Sequence, residues 1–364
     1  MNNQKNNLRV LVVGCGNMGA SHAFAYHTQE GFEICGLVSK GKSKEVLNEK
    51  LGGAYPLFND FETALESTKP EAVCISTYPD THEIFAIKAF ENNCHVFMEK
   101  PLASTVEGAQ RVVEAANNVD KKLVVGYILR HHPSWERFID MSQELGKPLV
   151  MRMNLNQQSH GNMWKVHLNL MKSLSPIVDC GVHYIDVMCQ MTRSKPIKVN
   201  AIGARLTEEI PEENYNYGQL QIWFEDGSVG WYEAGWGPMI SETAYFVKDV
   251  IGPKGSVSIV TKDASGNGNG NSDSVEAHTK TDSLRFHNSE LDENDQFVHD
   301  DTWVILKDEP DHQELCNREQ RYFLKSINDN IDLTLHLEDA INSLRIALAC
   351  DDSVRTGQIV YLNP

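Results

Sequence analysis

The feature that most constrains this fold is a glycine motif between an apolar run, residues 8–13, and a helical run, residues 20–29. In this strand, turn and helix order, Gly14 permits a tight turn, Gly16 lets the backbone approach a pyrophosphate, and Gly19 lets helix and strand pack closely. The free amides of the helix would then face the phosphates. The segment therefore predicts a dinucleotide site. Its predicted cofactor contacts are Gly14, Gly16, Asn17, Met18 and Gly19.

The end of the second predicted strand, residues 32–38, indicates which dinucleotide binds. An acid at this point accepts hydrogen bonds from the ribose hydroxyls and repels a 2′-phosphate. This chain instead has Ser39 followed by Lys40, Lys42 and Lys44. A hydroxyl and ammonium groups suit a 2′-phosphate, so the sequence favours NADP(H), with NAD(H) also accepted. A solvated basic loop is the alternative interpretation.

Strands continue to alternate with helical segments as far as residue 126, which predicts a doubly wound parallel sheet, an α/β Rossmann domain, over residues 1–128. A short apolar run at residues 96–98 ends at Glu99-Lys100-Pro101. Pro101 makes continuation of that strand unfavourable, which places Lys100 at the carboxyl edge, where open parallel sheets bind ligands. The alternative is an ordinary surface lysine in a turn. Thr77 and His82, after the preceding strand, are further predicted cofactor contacts, with Glu99 and Lys100.

Beyond residue 128 the pattern changes to alternating polar and apolar residues. Runs such as residues 217–224 and 229–234, with Asp226-Gly227 between them, indicate a hairpin. Residues 129–364 are therefore predicted to form an α+β domain with a large, mainly antiparallel sheet that binds substrate and mediates oligomerisation. The low-complexity stretch at residues 265–274 is predicted to be a loop.

A predicted buried helix within residues 173–190 carries a second group of polar residues. Asp179 and His183 are four apart and Asp186 is three further on, so a helix places all three on one face. A carboxylate one turn from an imidazole can orient it and stabilise its charged form, as a general base requires. Three alternatives stay open: a core histidine, a pair of metal ligands, and a capping role for Asp179.

Aromatic and cationic residues supply candidate substrate contacts. Tyr127 and Arg130 follow the last predicted parallel strand, and Trp164 lies in the second domain. Aromatic rings can stack on sugar faces, although in sheets they more often pack in the core. An apolar face on a broad sheet also predicts a homodimer or homotetramer.

Composition excludes several classes of partner. A length of 364 residues suits two domains, and a net charge of −17 disfavours nucleic acids and anionic membranes. The first ten residues are polar, and no apolar run is long enough to span a bilayer. The eight cysteines are scattered without a CxxC pair, so we expect reduced thiols, no bound metal and a cytoplasmic location.

The order of these motifs resembles the glucose–fructose oxidoreductase, inositol dehydrogenase and rhizopine catabolism (Gfo/Idh/MocA) family. The shared motifs are GxGxxG at residues 14–19, EKP at 99–101, GY at 126–127 followed by Arg130, and DxGxHxxD at 179–186. The resemblance runs from residue 8 to about 188 and returns at 339–357. It implies that Lys100 lies beside the reacting hydroxyl and the nicotinamide, and that Asp179 and His183 are the catalytic Asp and His.

Three departures from the family pattern stand out. Ser173-Leu174-Ser175-Pro176 replaces a Gly-rich run before Asp179, Thr77-Tyr78-Pro79 replaces Thr-Pro-Asn before His82, and Ser39 replaces the acid of NAD-using members. The resemblance implies an NAD(P)-dependent oxidoreductase acting on a secondary hydroxyl of a sugar, inositol or related polyol. Two alternatives are a redox-neutral family enzyme that retains its nucleotide, of the glycosidase or transhydrogenating type, and a non-catalytic nucleotide-sensing regulator.

Overall fold

The computed structural model describes residues 7–241, 247–260, 281–307 and 309–362. It forms two compact units, of which the first combines Met1–Ile128 with Gln313–Ile341 and the second combines Leu129–His312 with Asn342–Pro364. The first stretch of the first unit ends at Ile128. Residues 313–341 also belong to the first unit. The predicted division into two consecutive blocks does not account for this return of the chain.

The first unit is built on a six-stranded parallel sheet in the order β3-β2-β1-β4-β5-β6. Its central strands are mainly apolar, with residues 10–13 of β1 and all of β4 buried, as expected where helices cover both faces of a sheet. The doubly wound parallel fold is therefore confirmed. The strands are β1 Leu8–Val13, β2 Phe32–Val38, β3 Leu57–Phe58, β4 Ala72–Ile75, β5 His95–Glu99 and β6 Leu123–Gly126.

The helices of this unit connect consecutive strands, and one more comes from the returning segment. They are α1 Asn17–Thr28, α2 Ser43–Lys50, α3 Phe61–Thr68, α4 Pro79–Glu91, α5 Val106–Asn118 and α9 His312–Asn328. The short elements α2 and β3 were not predicted, because α2 is polar on most of its surface and β3 has only two residues. Since α2 begins at Ser43, both Ser43 and Lys44 lie in a helix and not in the predicted loop.

The second unit contains a nine-stranded sheet in the order β14-β13-β12-β11-β7-β10-β9-β8-β15. All its neighbouring strands are antiparallel except β7 and β10, so the mainly antiparallel prediction is confirmed. Gly227, in the predicted hairpin turn between β9 and β10, has φ +81°. The strands are β7 Val150–Gln158, β8 Pro196–Ala204, β9 Tyr217–Phe224, β10 Val229–Gly237, β11 Lys248–Gly252, β12 Gly255–Val260, β13 Ser283–Asn288, β14 Thr302–Ile305 and β15 Val360–Tyr361.

The remaining helices are α6 Pro133–Gln143, α7 Gly161–Leu170, α8 Val182–Thr192 and α10 Thr334–Thr356, with a π-helical turn at Ile177–Gly181 directly before α8. The sequence patterns missed α7 and β11. The loop predicted at residues 265–274 lies outside the described residues. None of the described helices has an apolar stretch long enough to cross a bilayer. All eight cysteines are buried and free of disulfides.

Candidate functional site

The glycine turn between β1 and α1 is shaped by close backbone packing. Gly14 has φ +91°, and a Cβ there would lie 2.2 Å from the carbonyl oxygen of Ser76. A Cβ on Gly19 would lie 1.9 Å from the carbonyl oxygen of Gly14, whereas a Cβ on Gly16 would meet no atom within 4 Å. Gly14 and Gly19 therefore allow strand and helix to approach, and Gly16 leaves open space beside the turn.

The first turn of α1 is suited to an anion. Its N-cap, Gly16, makes no side-chain capping bond, and the turn contains no acidic residue. Asn17 is exposed and Met18 is partly exposed at the start of the helix. Uncapped amides and the positive end of the helix dipole favour a phosphate group. These features fit the pyrophosphate of a dinucleotide.

A cleft of about 1110 Å³ opens beside this turn, entirely within the first unit. We refer to it as the first-unit cleft. A cleft of this size can hold a cofactor. Five of the predicted cofactor residues line it: Gly14, Gly16, Ser39, Lys40 and Thr77. Its other lining residues include Asn59, Asp60, Tyr78 and Ile84, which the sequence patterns did not identify.

The basic residues after β2 do not act alike. Ser39 shares a hydrogen bond of 2.8 Å with Ser43, and Lys40 lines the first-unit cleft. Lys44 is only 5% exposed, and its Nζ donates to the carbonyl oxygen of Gly41 and pairs with Glu45. The prediction that three lysines could face a 2′-phosphate is therefore corrected for Lys44, because helix α2 directs its ammonium to local partners.

The turn between β4 and α4 contributes Thr77 to the cleft and holds His82 beneath it. The Thr77 hydroxyl bonds that of Thr81, 2.7 Å away. His82 is fully buried, with Nδ1 2.8 Å from the carbonyl oxygen of Pro101 and Nε2 3.1 Å from that of Thr77. Burial lowers the pKa of His82. His82 thus joins two loops from inside the protein.

Lys100 lies at the carboxyl end of β5, as predicted. Residues 96–99 and Pro101 are buried, while Lys100 is partly exposed. The Glu99 carboxylate is 2.6 Å from Nε2 of His22 on α1 and accepts a bond from the backbone N–H of Lys100. Glu99 therefore supports the lysine from within the unit.

In the second unit, Asp179 lies in the π-helical turn and His183 in the first turn of α8. From residue 175 to 192 only these two residues are partly exposed, and every other residue is buried. Single π turns of this kind occur frequently at functional sites. The pair is therefore accessible on a segment that is otherwise part of the core. This arrangement suits proton transfer better than a role in packing.

The π-helical turn is anchored to α10. Ser175 Oγ accepts from the backbone N–H of Val178 and donates to Asp351, whose carboxylate also accepts from the Tyr215 hydroxyl. Burial raises the pKa of Asp351 and of Tyr215. Ser175 thereby fixes the start of the turn that carries Asp179.

The three remaining predicted substrate contacts are largely engaged in local interactions. In the first unit Tyr127 is buried, its ring 6.3 Å from that of His336. Arg130 makes a two-pronged ion pair with Asp186, at 2.6 and 2.8 Å. Trp164 packs in a buried apolar cluster with Cys180 and Trp236. Substrate contact by these three residues stays a prediction.

Within the described ranges, one group of side chains has metal-ligand chemistry: His22, Cys316 and Glu319, with ligand atoms within 4.8 Å of one another. Both ring nitrogens of His22 are already hydrogen bonded, to Glu99 and to Gln320. Burial and the nearby Glu99 carboxylate raise the pKa of Glu319 well above its usual value. Burial in this cluster therefore favours the neutral form of the Glu319 carboxyl.

Comparison with known proteins places both units in one family. Residues 8–127 match the family model described as "Oxidoreductase family, NAD-binding Rossmann fold", and residues 141–362 match "Oxidoreductase family, C-terminal alpha/beta domain". The two matches cover nearly the whole chain.

Individual relatives are more distant. The chain is similar to the inositol 2-dehydrogenase of Burkholderia lata, with 29% identity over 188 residues, which are 50% of this chain and 53% of that protein. The chain thus spans about half the length of the inositol 2-dehydrogenases it matches. The scyllo-inositol 2-dehydrogenase (NAD(+)) of Bacillus subtilis is 28% identical over 270 residues, 70% of this chain and 74% of that protein.

A solved structure extends the likeness in fold. Scyllo-inositol dehydrogenase from Lactobacillus casei, with bound NAD(H) and scyllo-inositol, has a TM-score of 0.75 and 19% identity. The alignment covers 98% of this chain and 99% of that one. At this identity the likeness concerns the fold alone.

Proposed function

The chain belongs to the Gfo/Idh/MocA family of oxidoreductases, and on that premise we propose that it is a nicotinamide-dependent dehydrogenase or reductase of a polyol. The observation that carries the proposal is the selective exposure of Asp179 and His183 on a buried segment. The first-unit cleft and uncapped helix α1 support the nucleotide part of the proposal. The inositol dehydrogenases among its relatives support a cyclic polyol or sugar as substrate.

The proposed chemistry divides among three side chains. In the oxidation direction His183 takes the proton of a secondary hydroxyl, and Asp179 orients His183 and stabilises its charged form. Lys100 donates to the same oxygen and stabilises the negative charge that develops there. A bound nicotinamide would supply the hydride acceptor that this oxidation requires. In the reverse direction His183 returns the proton to the oxygen.

The test is a spectrophotometric screen of the full chain with NADP and NAD against inositols, sugars and their phosphates. We expect reduced nucleotide to form with at least one polyol. His183→Ala should then lower kcat by about 10² to 10⁴, the usual contribution of a positioned base, with nucleotide affinity unchanged. His160→Ala, an exposed histidine just before α7, is the control and should retain full turnover. Near-normal turnover by His183→Ala would contradict the assignment.

If no compound of the panel yields reduced nucleotide although the nucleotide binds tightly, the dehydrogenase proposal is contradicted. Nucleotide that copurifies and survives dialysis would then favour a redox-neutral enzyme. Tight nucleotide binding without turnover, unchanged when Lys100 or His183 is replaced, would favour a non-catalytic regulator.

We further propose that the enzyme prefers NADP(H). Ser39 stands where an acid would repel a 2′-phosphate, and Lys40 lines the cleft beside it. Against these, Asp60 also lines the cleft, and its bonds to Thr63 lower the pKa of its carboxyl. Lys40 and Lys88 both line the cleft, and we assign the preference to Lys40 because it directly follows Ser39.

The preference is tested with Ser39→Asp and Lys40→Ala. Ser39→Asp should raise KM for NADP about 10- to 100-fold and leave KM for NAD within about twofold, because a carboxylate repels the 2′-phosphate. Lys40→Ala should shift the ratio in the same direction by about tenfold. Lys42→Ala, outside the residues that line the cleft, is the matched control. Equal KM values for both nucleotides in the unmodified protein would rule out the preference.

A further inference from the structure

Residues 99–101 are held from the interior of the first unit on both sides of Lys100. Glu99 is 6% exposed and its carboxylate reaches His22, which is fully buried. Pro101 is buried and its carbonyl oxygen reaches His82, which is fully buried as well. Two buried histidines therefore flank the one residue of the three that is partly exposed.

The first attachment is a chain of hydrogen bonds whose directions are all determined. The Tyr26 hydroxyl donates to Oε1 of Gln320 at 2.6 Å, so the amide nitrogen of Gln320 faces Nδ1 of His22 at 3.0 Å. A ring nitrogen that accepts carries no proton, so Nε2 of His22 carries it and donates to Glu99 Oε1 at 2.6 Å. Helices α1 and α9 thereby fix the tautomer of His22.

Glu99 connects this chain of hydrogen bonds to Lys100. While Oε1 accepts from His22, Oε2 accepts from the backbone N–H of Lys100 at 3.3 Å. Tyr26, His22 and Gln320 are at most 1% exposed. In such an apolar interior a satisfied polar chain is rigid, and removal of one member leaves the others without partners.

His82 provides the second attachment. Its ring lies between two backbone carbonyls, that of Pro101 at 2.8 Å and that of Thr77 at 3.1 Å. A neutral imidazole has one N–H, so the ring donates to one of these carbonyls and contacts the other, and it lies between the segment that carries Lys100 and the turn that contributes Thr77 to the first-unit cleft. A displacement of one loop would be transmitted to the other through this ring.

We propose that His22 and His82 are positioning residues that hold Lys100 in place relative to the first-unit cleft. His22 acts through Glu99, and His82 acts through the Pro101 carbonyl. Neither touches the reacting atoms. The chemical role of Lys100 rests on the proposed function, but the mechanical claim does not.

The mechanical claim is tested by amide hydrogen exchange of the full chain, which requires no substrate. In His22→Leu we expect the peptide covering residues 97–103 to exchange about 10- to 100-fold faster, because a charge-assisted hydrogen bond is lost. His22→Gln, whose amide nitrogen can still donate to Glu99, should stay within about threefold of the unmodified protein. His27→Leu, the same substitution on the exposed face of α1, is the control.

His82→Leu should give a different pattern. Both peptides, residues 76–81 and 97–103, should exchange faster, since the ring contacts both loops. Unchanged exchange at 97–103 in folded His22→Leu and His82→Leu would overturn the proposal. If His22→Leu does not fold, Tyr26→Phe takes its place in the test, because this change removes one hydroxyl and leaves His22 in place. It should speed exchange at 97–103 about two- to fivefold.

Kinetics distinguish positioning from general destabilisation once a substrate is known. His22→Leu should lower kcat about 10- to 100-fold, the cost of a misplacement of about 1 Å, with KM for the nucleotide within about twofold. In a Lys100→Ala background the same change should cost less than about twofold, since its target is already absent. Equal losses in both backgrounds would refute action through Lys100. Failure of the substrate screen leaves the exchange result intact, so the two proposals can fail separately.

Discussion

At the residue scale, burial decides what each ionisable side chain can do. Lys248 on β11 is 4% exposed, with Nζ 3.0 Å from the carbonyl oxygen of Asn154 and 5.4 Å from the centre of the Tyr184 ring. Burial lowers the pKa of Lys248 from 10.5 to about 7. Lys44, also buried, instead pairs with Glu45. Of two lysines with similar exposure, Lys44 therefore has its ammonium beside a carboxylate, whereas Lys248 has its ammonium beside a carbonyl oxygen.

The buried amine of Lys248 predicts a pH-dependent stability. Between about pH 7 and 10.5 the unfolded chain carries a proton on Lys248 that the folded chain lacks, so this group makes stability rise with pH in that window. Lys248→Met should therefore be more stable than the unmodified protein at pH 7. The difference should shrink by up to about 1.4 kcal/mol per pH unit toward pH 8.

Urea unfolding followed by tryptophan fluorescence measures this effect, because all six tryptophans belong to the second unit. Lys254→Met, an exposed position in the turn between β11 and β12, is the control. A constant stability difference between Lys248→Met and the unmodified protein from pH 7 to 8 would show that Lys248 stays charged in the fold.

At the element scale, the π-helical turn before α8 connects local geometry with the proposed chemistry. A wider turn changes which residues of the segment face the same way, so the simple four-residue spacing of Asp179 and His183 is not a sufficient description. Ser175, two residues before the turn, is held by Asp351 from α10. The anchor comes from a residue 176 positions away in the sequence.

Ser175→Ala should therefore reduce activity without touching the reacting atoms. It removes the acceptor for the Val178 N–H and the donor to Asp351, so we expect kcat to fall about tenfold through misplacement of Asp179. Nucleotide affinity should not change, because the first-unit cleft contains no residue of this turn. Asp352→Asn, which alters an exposed carboxylate next to the anchor, is the control. Wild-type kcat in Ser175→Ala would show that the turn holds its shape unaided.

At the scale of the whole molecule, net charge bears on the choice of partners, and sheet topology decides where the two cores form. A net charge of −17 disfavours polyanionic partners, and two sheets of different type supply two separate cores. The nucleotide features all lie in the parallel sheet's unit, whereas Asp179 and His183 belong to the unit with the antiparallel sheet. The nucleotide part and the proton-transfer part of the proposal are therefore assigned to different units.

The parallel sheet could be predicted because its strands are short apolar runs between turn signals, and such local patterns survive in any context. The glycine turn was equally predictable, since Gly14 and Gly19 are required by contacts within one β-α unit. Helix α7 and strand β11 were missed because their burial does not follow residue polarity: Val166 on α7 is exposed, and Lys248 on β11 is buried.

The local sequence by itself determined the Rossmann unit, the glycine turn, the position of Lys100 after a strand and the spacing of Asp179 and His183. Only the tertiary structure decided that 313–341 returns to the first unit, and that Gln320 fixes the tautomer of His22. The physical reason is distance along the chain. Turns and strands depend on neighbouring residues, whereas a hydrogen bond between residues 298 positions apart exists only after the chain has folded.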